Sequence, residues 1–146
     1  MSTATDLKPS LTLKRRYSAP PAKVFSAWTD PQKLGRWFCP VACAPVLAES
    51  DARVGGRYRI VVRDPSGEEH DVSGTFREVV PDRKLVFTWA WRTTPERESL
   101  VTVELKPDGD GTMLTLTHEQ FFDEAARDAH RAGWTRALDK LERYVV

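Results

Sequence analysis

His118 is the ionisable side chain of this sequence with the clearest capacity for chemistry. Apolar and polar residues alternate before it, so it shares the apolar face of a predicted strand with Leu114 and Leu116. A histidine there could hydrogen-bond a ligand carbonyl or hydroxyl, or transfer a proton near neutral pH. A neutral histidine satisfied by a partner within the core fits the same pattern. The catalytic residues are thus unknown, with His118 the candidate if there is one.

Four other polar rings are secondary candidates. Tyr17 and Tyr58 lie on predicted strands and could act as further polar anchors for a ligand. Alternation places His70 on the inward face of its strand, but it lies at the strand's start, where we expect it to be exposed. His130 lies near the start of a predicted long helix and could pair with an acid.

The sequence offers little for metal or nucleophilic chemistry. Its two cysteines, Cys39 and Cys43, have neither a second cysteine pair nor a nearby histidine to complete a tetrahedral metal site. We therefore expect ordinary thiols, no metal and no cofactor. There is also no nucleophile elbow, phosphate-binding loop or paired-carboxylate motif, so we expect binding rather than catalysis.

Aromatic residues dominate the predicted inward face. Such walls suit a flat apolar ligand, because stacked rings gain about 0.5–1.5 kcal/mol per pair beyond the burial of their area. The same rings could instead simply fill the core. If they line a cavity, the expected ligand-binding residues are Trp28, Trp37, Tyr58, Phe76, Phe87, Trp89, Trp91, Leu116, His118 and Trp134.

The elements that would position these residues follow in a simple order. A strand over residues 11–17 stops at two prolines, and two short helices follow, with Ser18 and Asp30 as their expected caps. From Val46 onward apolar and polar residues alternate, and clusters of turn residues divide this stretch into six candidate strands. The links between the strands are short enough to permit antiparallel pairing. After Asp123, an expected N-cap, apolar residues recur at helical spacing to the C-terminus.

Gly133 lies in the middle of that last helix. Glycine there costs about 1 kcal/mol relative to alanine. We expect it to permit close approach of the helix backbone to the sheet.

Length and composition limit the classes of protein to which the chain can belong. The 146 residues suit one domain, and we expect a disordered leader over residues 1–10 and a single domain over residues 11–146. With 22 basic against 21 acidic side chains and no basic block, nucleic acid is not an expected partner. No apolar run approaches the roughly 20 residues that span a bilayer, and no targeting segment is evident. We therefore expect a cytoplasmic protein that does not enter membranes.

A family resemblance rests on an ordered set of short motifs. They are Ala19-Pro20, Val24-Phe25, Ala27-Trp28-Thr29-Asp30-Pro31, Trp37-Phe38, Gly55-Gly56, Gly74, Pro81, Leu85-Val86-Phe87-Thr88-Trp89, Thr112 to His118, His130, Gly133-Trp134, Leu138 and Leu141. Together they resemble the stand-alone bacterial domains related to the C-terminal domain of the activator of the 90-kDa heat shock protein ATPase. These domains belong to the START-like, SRPBCC or helix-grip superfamily.

The resemblance implies a fold more strongly than a function. It implies an α+β helix-grip domain, with a curved antiparallel sheet of six to seven strands around a long C-terminal helix and two short helices after the first strand. It also implies a cavity between sheet and helix for a small hydrophobic molecule. Three functions stay open: ligand binding without catalysis, a polyketide-cyclase-like or other acid–base enzyme using His118, and a stress-related or chaperone-associated interaction module. In the interaction module, Trp37-Phe38 would form a surface patch. A homodimer and a chaperone partner also stay open.

Overall fold

The computed structural model describes residues 8–38 and 44–145. The first part of the predicted leader and the two cysteines, Cys39 and Cys43, lie outside the described residues. The elements in chain order are β1 (Leu11–Tyr17), α1 (Pro21–Thr29), α2 (Pro31–Trp37), β2 (Ala44–Ser50), β3 (Arg57–Arg63), β4 (Glu69–Val80), β5 (Lys84–Trp91), β6 (Ser99–Asp108), β7 (Gly111–Glu119) and α3 (Glu124–Val145).

The seven strands form one antiparallel sheet in the order β1-β7-β6-β5-β4-β3-β2. Strands β2 to β7 form a meander, and β1 pairs with β7, bringing Leu11 opposite His118 and Leu13 opposite Leu116. The edges of the sheet are β1 and β2. The predicted α+β helix-grip architecture is confirmed, including seven strands, two short helices after β1 and the long C-terminal helix.

Local capping explains where the helices begin. The Asp30 carboxylate accepts a hydrogen bond from the Gln32 N–H at 2.9 Å and starts α2, as predicted. The Asp123 carboxylate accepts one from the Ala126 N–H at 2.8 Å and starts α3, also as predicted. The prediction of Ser18 as a cap for α1 is wrong. That helix begins after Pro20 without a side-chain cap, since proline at its first position needs no N–H partner.

The core lies between the inner face of the sheet and α3. Trp134, Ala137, Leu138 and Leu141 of α3 are buried against it. The apolar inward residues of β3 to β7 are buried as alternation predicts, except for the half-buried Trp91 at the end of β5. No helix within residues 8–38 and 44–145 is long and apolar enough to cross a membrane.

Gly74 permits the tight pairing of β4 and β5. A Cβ atom on Gly74 would overlap the backbone carbonyl of Thr88. The Thr88 hydroxyl also accepts a hydrogen bond from the Thr75 N–H at 2.9 Å. Only glycine fits this position without displacing the strand.

Candidate functional site

A cavity of about 420 Å³ lies between α3 and the β3–β5 side of the sheet. Its walls are mostly apolar and come from four elements, β3, β4, β5 and α3, and from the residues just beyond α2 and β3. The described residues that line it are Phe38, Val62, Asp64, His70, Trp89, Trp91, Ala129, His130, Gly133, Trp134 and Ala137.

Three indoles and a phenyl ring form the aromatic wall. The Trp89 ring centroid lies 5.4 Å from that of Trp91 and 5.1 Å from that of Trp134. Phe38 is 5.8 Å from Trp89 and 6.0 Å from Trp134. Centroid distances of this size are those at which aromatic rings attract one another, so the wall is fixed by its own packing.

His130 ties two of these indoles to α3. Its Nε2 accepts a hydrogen bond from the Trp91 Nε1–H at 2.9 Å and a longer one from the Trp89 Nε1–H at 3.3 Å. Its Nδ1 donates to the Ala126 carbonyl at 2.7 Å, which places the proton on Nδ1. Burial lowers the pKa of His130, so the ring is neutral at physiological pH. The expectation that His130 would pair with an acid is wrong, because indole donors occupy the lone pair of the neutral ring.

His118 lies behind this wall and does not line the cavity. The side chain is 0% exposed. Its Nδ1 accepts from the Trp134 Nε1–H at 3.0 Å, so Nε2 carries the proton and donates to the Ser99 Oγ at 2.7 Å. The Ser99 hydroxyl in turn donates to the Trp89 carbonyl at 3.3 Å. Burial, together with the nearby His130, lowers the pKa of His118 to about 2.

The polar rim of the cavity is built by the turn between β3 and β4. Asp64 lies two positions after the inward-facing Val62, and His70 two positions before the inward-facing Val72, so both are on the inner side of the sheet. The Asp64 carboxylate lies 2.8 Å from the His70 Nε2. The same carboxylate accepts from the N–H groups of Ser66 and Glu68 at 2.9 and 3.1 Å. Hydrogen bonds from the Ser66 hydroxyl and the His70 ring hold the pKa of Asp64 at about 2, so it is ionised at physiological pH.

Gly133 faces the cavity. A Cβ atom there would meet no other side chain and no backbone outside its own helix within 4 Å. The expectation of a close approach to the sheet is therefore wrong. The missing side chain instead leaves space in the cavity wall between Ala129 and Ala137.

The predicted site residues separate into three groups. Trp89, Trp91 and Trp134 line the main cavity. A deeper void of about 20 Å³, room for about one water molecule, is bordered by Trp28, Tyr58, Phe76 and Phe87. Trp37, Leu116 and His118 are fully buried and line neither space.

The candidate polar anchors also point elsewhere. The Tyr17 hydroxyl donates to the Leu138 carbonyl at 3.0 Å, and the Tyr58 hydroxyl donates to the Thr88 carbonyl. Burial raises the pKa of both phenols, so they remain neutral donors within the core. His70 is partly exposed at the cavity rim.

Asp64 was not among the predicted site residues, and His130 was predicted only as a possible partner of an acid. Each had a signal in the sequence. By alternation Asp64 falls on the inward face with Val62 and Ile60, two and four positions before it. His130 lies three and four positions before Gly133 and Trp134, and therefore on the same helix face.

Comparison with known proteins identifies the family. Residues 18–146 match the family model described as "Activator of Hsp90 ATPase homolog 1-like protein". The chain belongs to that family. No curated protein matches the chain.

Solved structures support the assignment to the Activator of Hsp90 ATPase homolog 1-like family. Protein CV1439 from Chromobacterium violaceum is 29% identical, with a TM-score of 0.85 over 93% of this chain and 96% of its own. The AHSA1 protein SPO3351 from Silicibacter pomeroyi is also 29% identical, with a TM-score of 0.83 over the same shares. CalU16 from Micromonospora echinospora is 32% identical, with a TM-score of 0.73 over 93% of this chain and 75% of its own. The resemblance deduced from the sequence motifs is confirmed.

Proposed function

We propose that this protein binds a small, flat, largely apolar molecule in the cavity between α3 and the sheet, and releases it unaltered. The cavity of about 420 Å³ walled by Trp89, Trp91 and Trp134 carries this proposal. Its volume lies within the 300–1,000 Å³ range of small-molecule sites. The fold is one that commonly binds hydrophobic ligands.

The protonation states favour binding over acid–base catalysis. His118 is sealed from the cavity, and its pKa of about 2 keeps it from taking up a proton near neutral pH. His130 does line the cavity, but both of its ring nitrogens are occupied by hydrogen bonds. His118 and His130 thus hold indole N–H groups in place and are not available as acid–base groups.

The burial of Trp37 and Phe38 weighs against an interaction module that uses these two residues as a surface patch. Trp37 is 0% exposed, and its Nε1–H donates to the Ala27 carbonyl at 2.8 Å. Phe38 is 9% exposed and packs into the cavity wall. Neither side chain offers an apolar surface to a partner protein.

The test is calorimetric titration with 2-(1-naphthyl)ethanol, a neutral aromatic probe. We expect saturable one-to-one binding to the wild-type protein. Ala129→Trp places an indole at the exposed side of the cavity and should abolish binding. Ala132→Trp is the matched control, because Ala132 is an exposed residue of the same helix that does not line the cavity. Equal binding by both variants, or no saturable binding by the wild type, would contradict the proposal.

A further inference from the structure

The cavity offers hydrogen-bond acceptors but is poor in free donors. The indole N–H groups of Trp89 and Trp91 are both directed at the His130 Nε2, and that of Trp134 is directed at the His118 Nδ1. The three indoles therefore present mainly their π faces to a ligand. No lysine or arginine is among the described residues that line the cavity. An anionic ligand would find no counter-charge and few donors there.

The charge that the cavity does carry is negative. Asp64 lies at its rim with an ionised carboxylate. Glu68 lies beside it, with its carboxylate 3.7 Å from the same His70 Nε2 that contacts Asp64. Two carboxylates around one imidazole leave a net charge of −2 when His70 is neutral and −1 when it is protonated. The rim is negative in both states.

The adjacent cation in the chain, Arg63, does not cancel this charge. Arg63 has the outward parity of β3, and its guanidinium pairs with Glu69 at 2.6 Å on the outer face of the sheet. The Asp64 Oδ1 is held by the turn through Ser66 and Glu68, whereas its Oδ2 points to His70 at the rim. One carboxylate oxygen thus fixes the turn while the other lies on the cavity side.

Resting on the function proposed above, we propose that the natural ligand of this cavity is a cation: a flat aromatic body between the indoles that carries a protonated amine directed at Asp64. Indole faces attract cations through their negative quadrupole. A carboxylate hydrogen bond to an ammonium is stronger than one to a neutral donor. The attraction of the indole faces and the charge-assisted hydrogen bond both favour a cationic ligand. Neither is available to a neutral or acidic ligand.

Three probes that share the naphthalene ring separate charge from shape. They are 2-(1-naphthyl)ethylamine, the neutral 2-(1-naphthyl)ethanol and the anionic 1-naphthylacetic acid, titrated calorimetrically at neutral pH with EDTA present to remove metal ions. We expect the amine to bind about tenfold tighter than the alcohol, from one charge-assisted hydrogen bond. We expect the acid to bind more weakly than the alcohol.

Asp64→Asn tests the assigned carboxylate. Asparagine keeps an Oδ1 acceptor for the turn, so the variant should fold, and the amine should lose its advantage over the alcohol. Glu69→Gln makes the same change in net charge five residues away on the outer face, and the preference for the amine should remain.

The failures of the two proposals are distinguishable. Saturable binding of the alcohol with no preference for the amine would overturn the cation proposal and leave the binding function standing. Retention of the preference in Asp64→Asn would overturn the role of Asp64. The ranking of the three probes on the wild-type protein needs no variant, so a variant that does not fold still leaves the proposal testable.

Discussion

Adding a side chain at Gly133 should stabilise the protein while it removes binding. Gly133 lies in the interior of α3, and a Cβ there meets nothing outside its own helix within 4 Å. Gly133→Ala therefore gains helix propensity without a steric cost, about 0.8–1 kcal/mol in the free energy of unfolding. For a chain of this length that corresponds to a rise in Tm of about 3 °C.

The binding effect should have the opposite sign and grow with side-chain size. Gly133→Leu also has good helix propensity, but its side chain would occupy space beside Trp91 and Trp134 in the cavity wall. We expect the leucine variant to be at least as stable as the wild type and to lose measurable binding of the naphthyl probes. Thermal unfolding and calorimetric titration on the same samples measure both effects.

Gly74→Ala is the matched control for this experiment. It is the same substitution at a position where the new Cβ would overlap the Thr88 carbonyl, so it should destabilise by about 1–3 kcal/mol. A fall in Tm for Gly133→Ala would show that there is no open space beside Gly133 in the cavity wall. Undiminished binding by a folded Gly133→Leu variant would show that the ligand lies elsewhere.

Two further predictions concern the buried histidine network. Ser99→Ala removes the acceptor of the His118 Nε2–H and should lower the free energy of unfolding by about 1–3 kcal/mol in urea denaturation, whereas unchanged stability would contradict the assigned hydrogen bond. Because the folded-state pKa of His118 is depressed from 6.5 to about 2, its contribution to stability is complete above pH 6.5 and is lost as the pH falls toward 2. From pH 6.5 to 4.5 this loss amounts to about 2 kcal/mol for His118 alone. His118→Gln should be less stable at pH 7, but its free energy of unfolding should depend less steeply on pH. An equal pH dependence of the unfolding free energy in both proteins would refute the assignment.

Periodicity and turn residues were enough to predict the strands, their antiparallel pairing and the helices, and the family resemblance supplied the helix-grip arrangement. The alternation from Val46 onward gives the strands their faces, and the short links between them require antiparallel neighbours. Asp30 and Asp123 cap their helices as expected, because capping depends on residues within one turn. Local chemistry of this kind can be read from the sequence.

The cavity could be predicted only in part. Alternation along a strand tells which face of the sheet a side chain lies on, but not how deeply it is buried there. His118 and Trp89 both face inward, yet one is sealed in the core and the other lines the cavity. That difference depends on how far α3 lies from each strand, which is a tertiary property. The same reason explains Gly133, whose backbone was expected to approach the sheet and instead borders open space.

The central claim is tested most directly by the indole N–H signals of the five tryptophans in a ¹⁵N-correlation NMR spectrum. Single Trp→Phe variants assign the signals, and 2-(1-naphthyl)ethylamine is then titrated into the wild-type protein. We predict that Trp89, Trp91 and Trp134 shift together with one dissociation constant, while Trp37, buried and bonded to the Ala27 carbonyl, stays in place. A titration in which Trp37 shifts as far as the three cavity indoles, or in which those three do not move, would contradict the account.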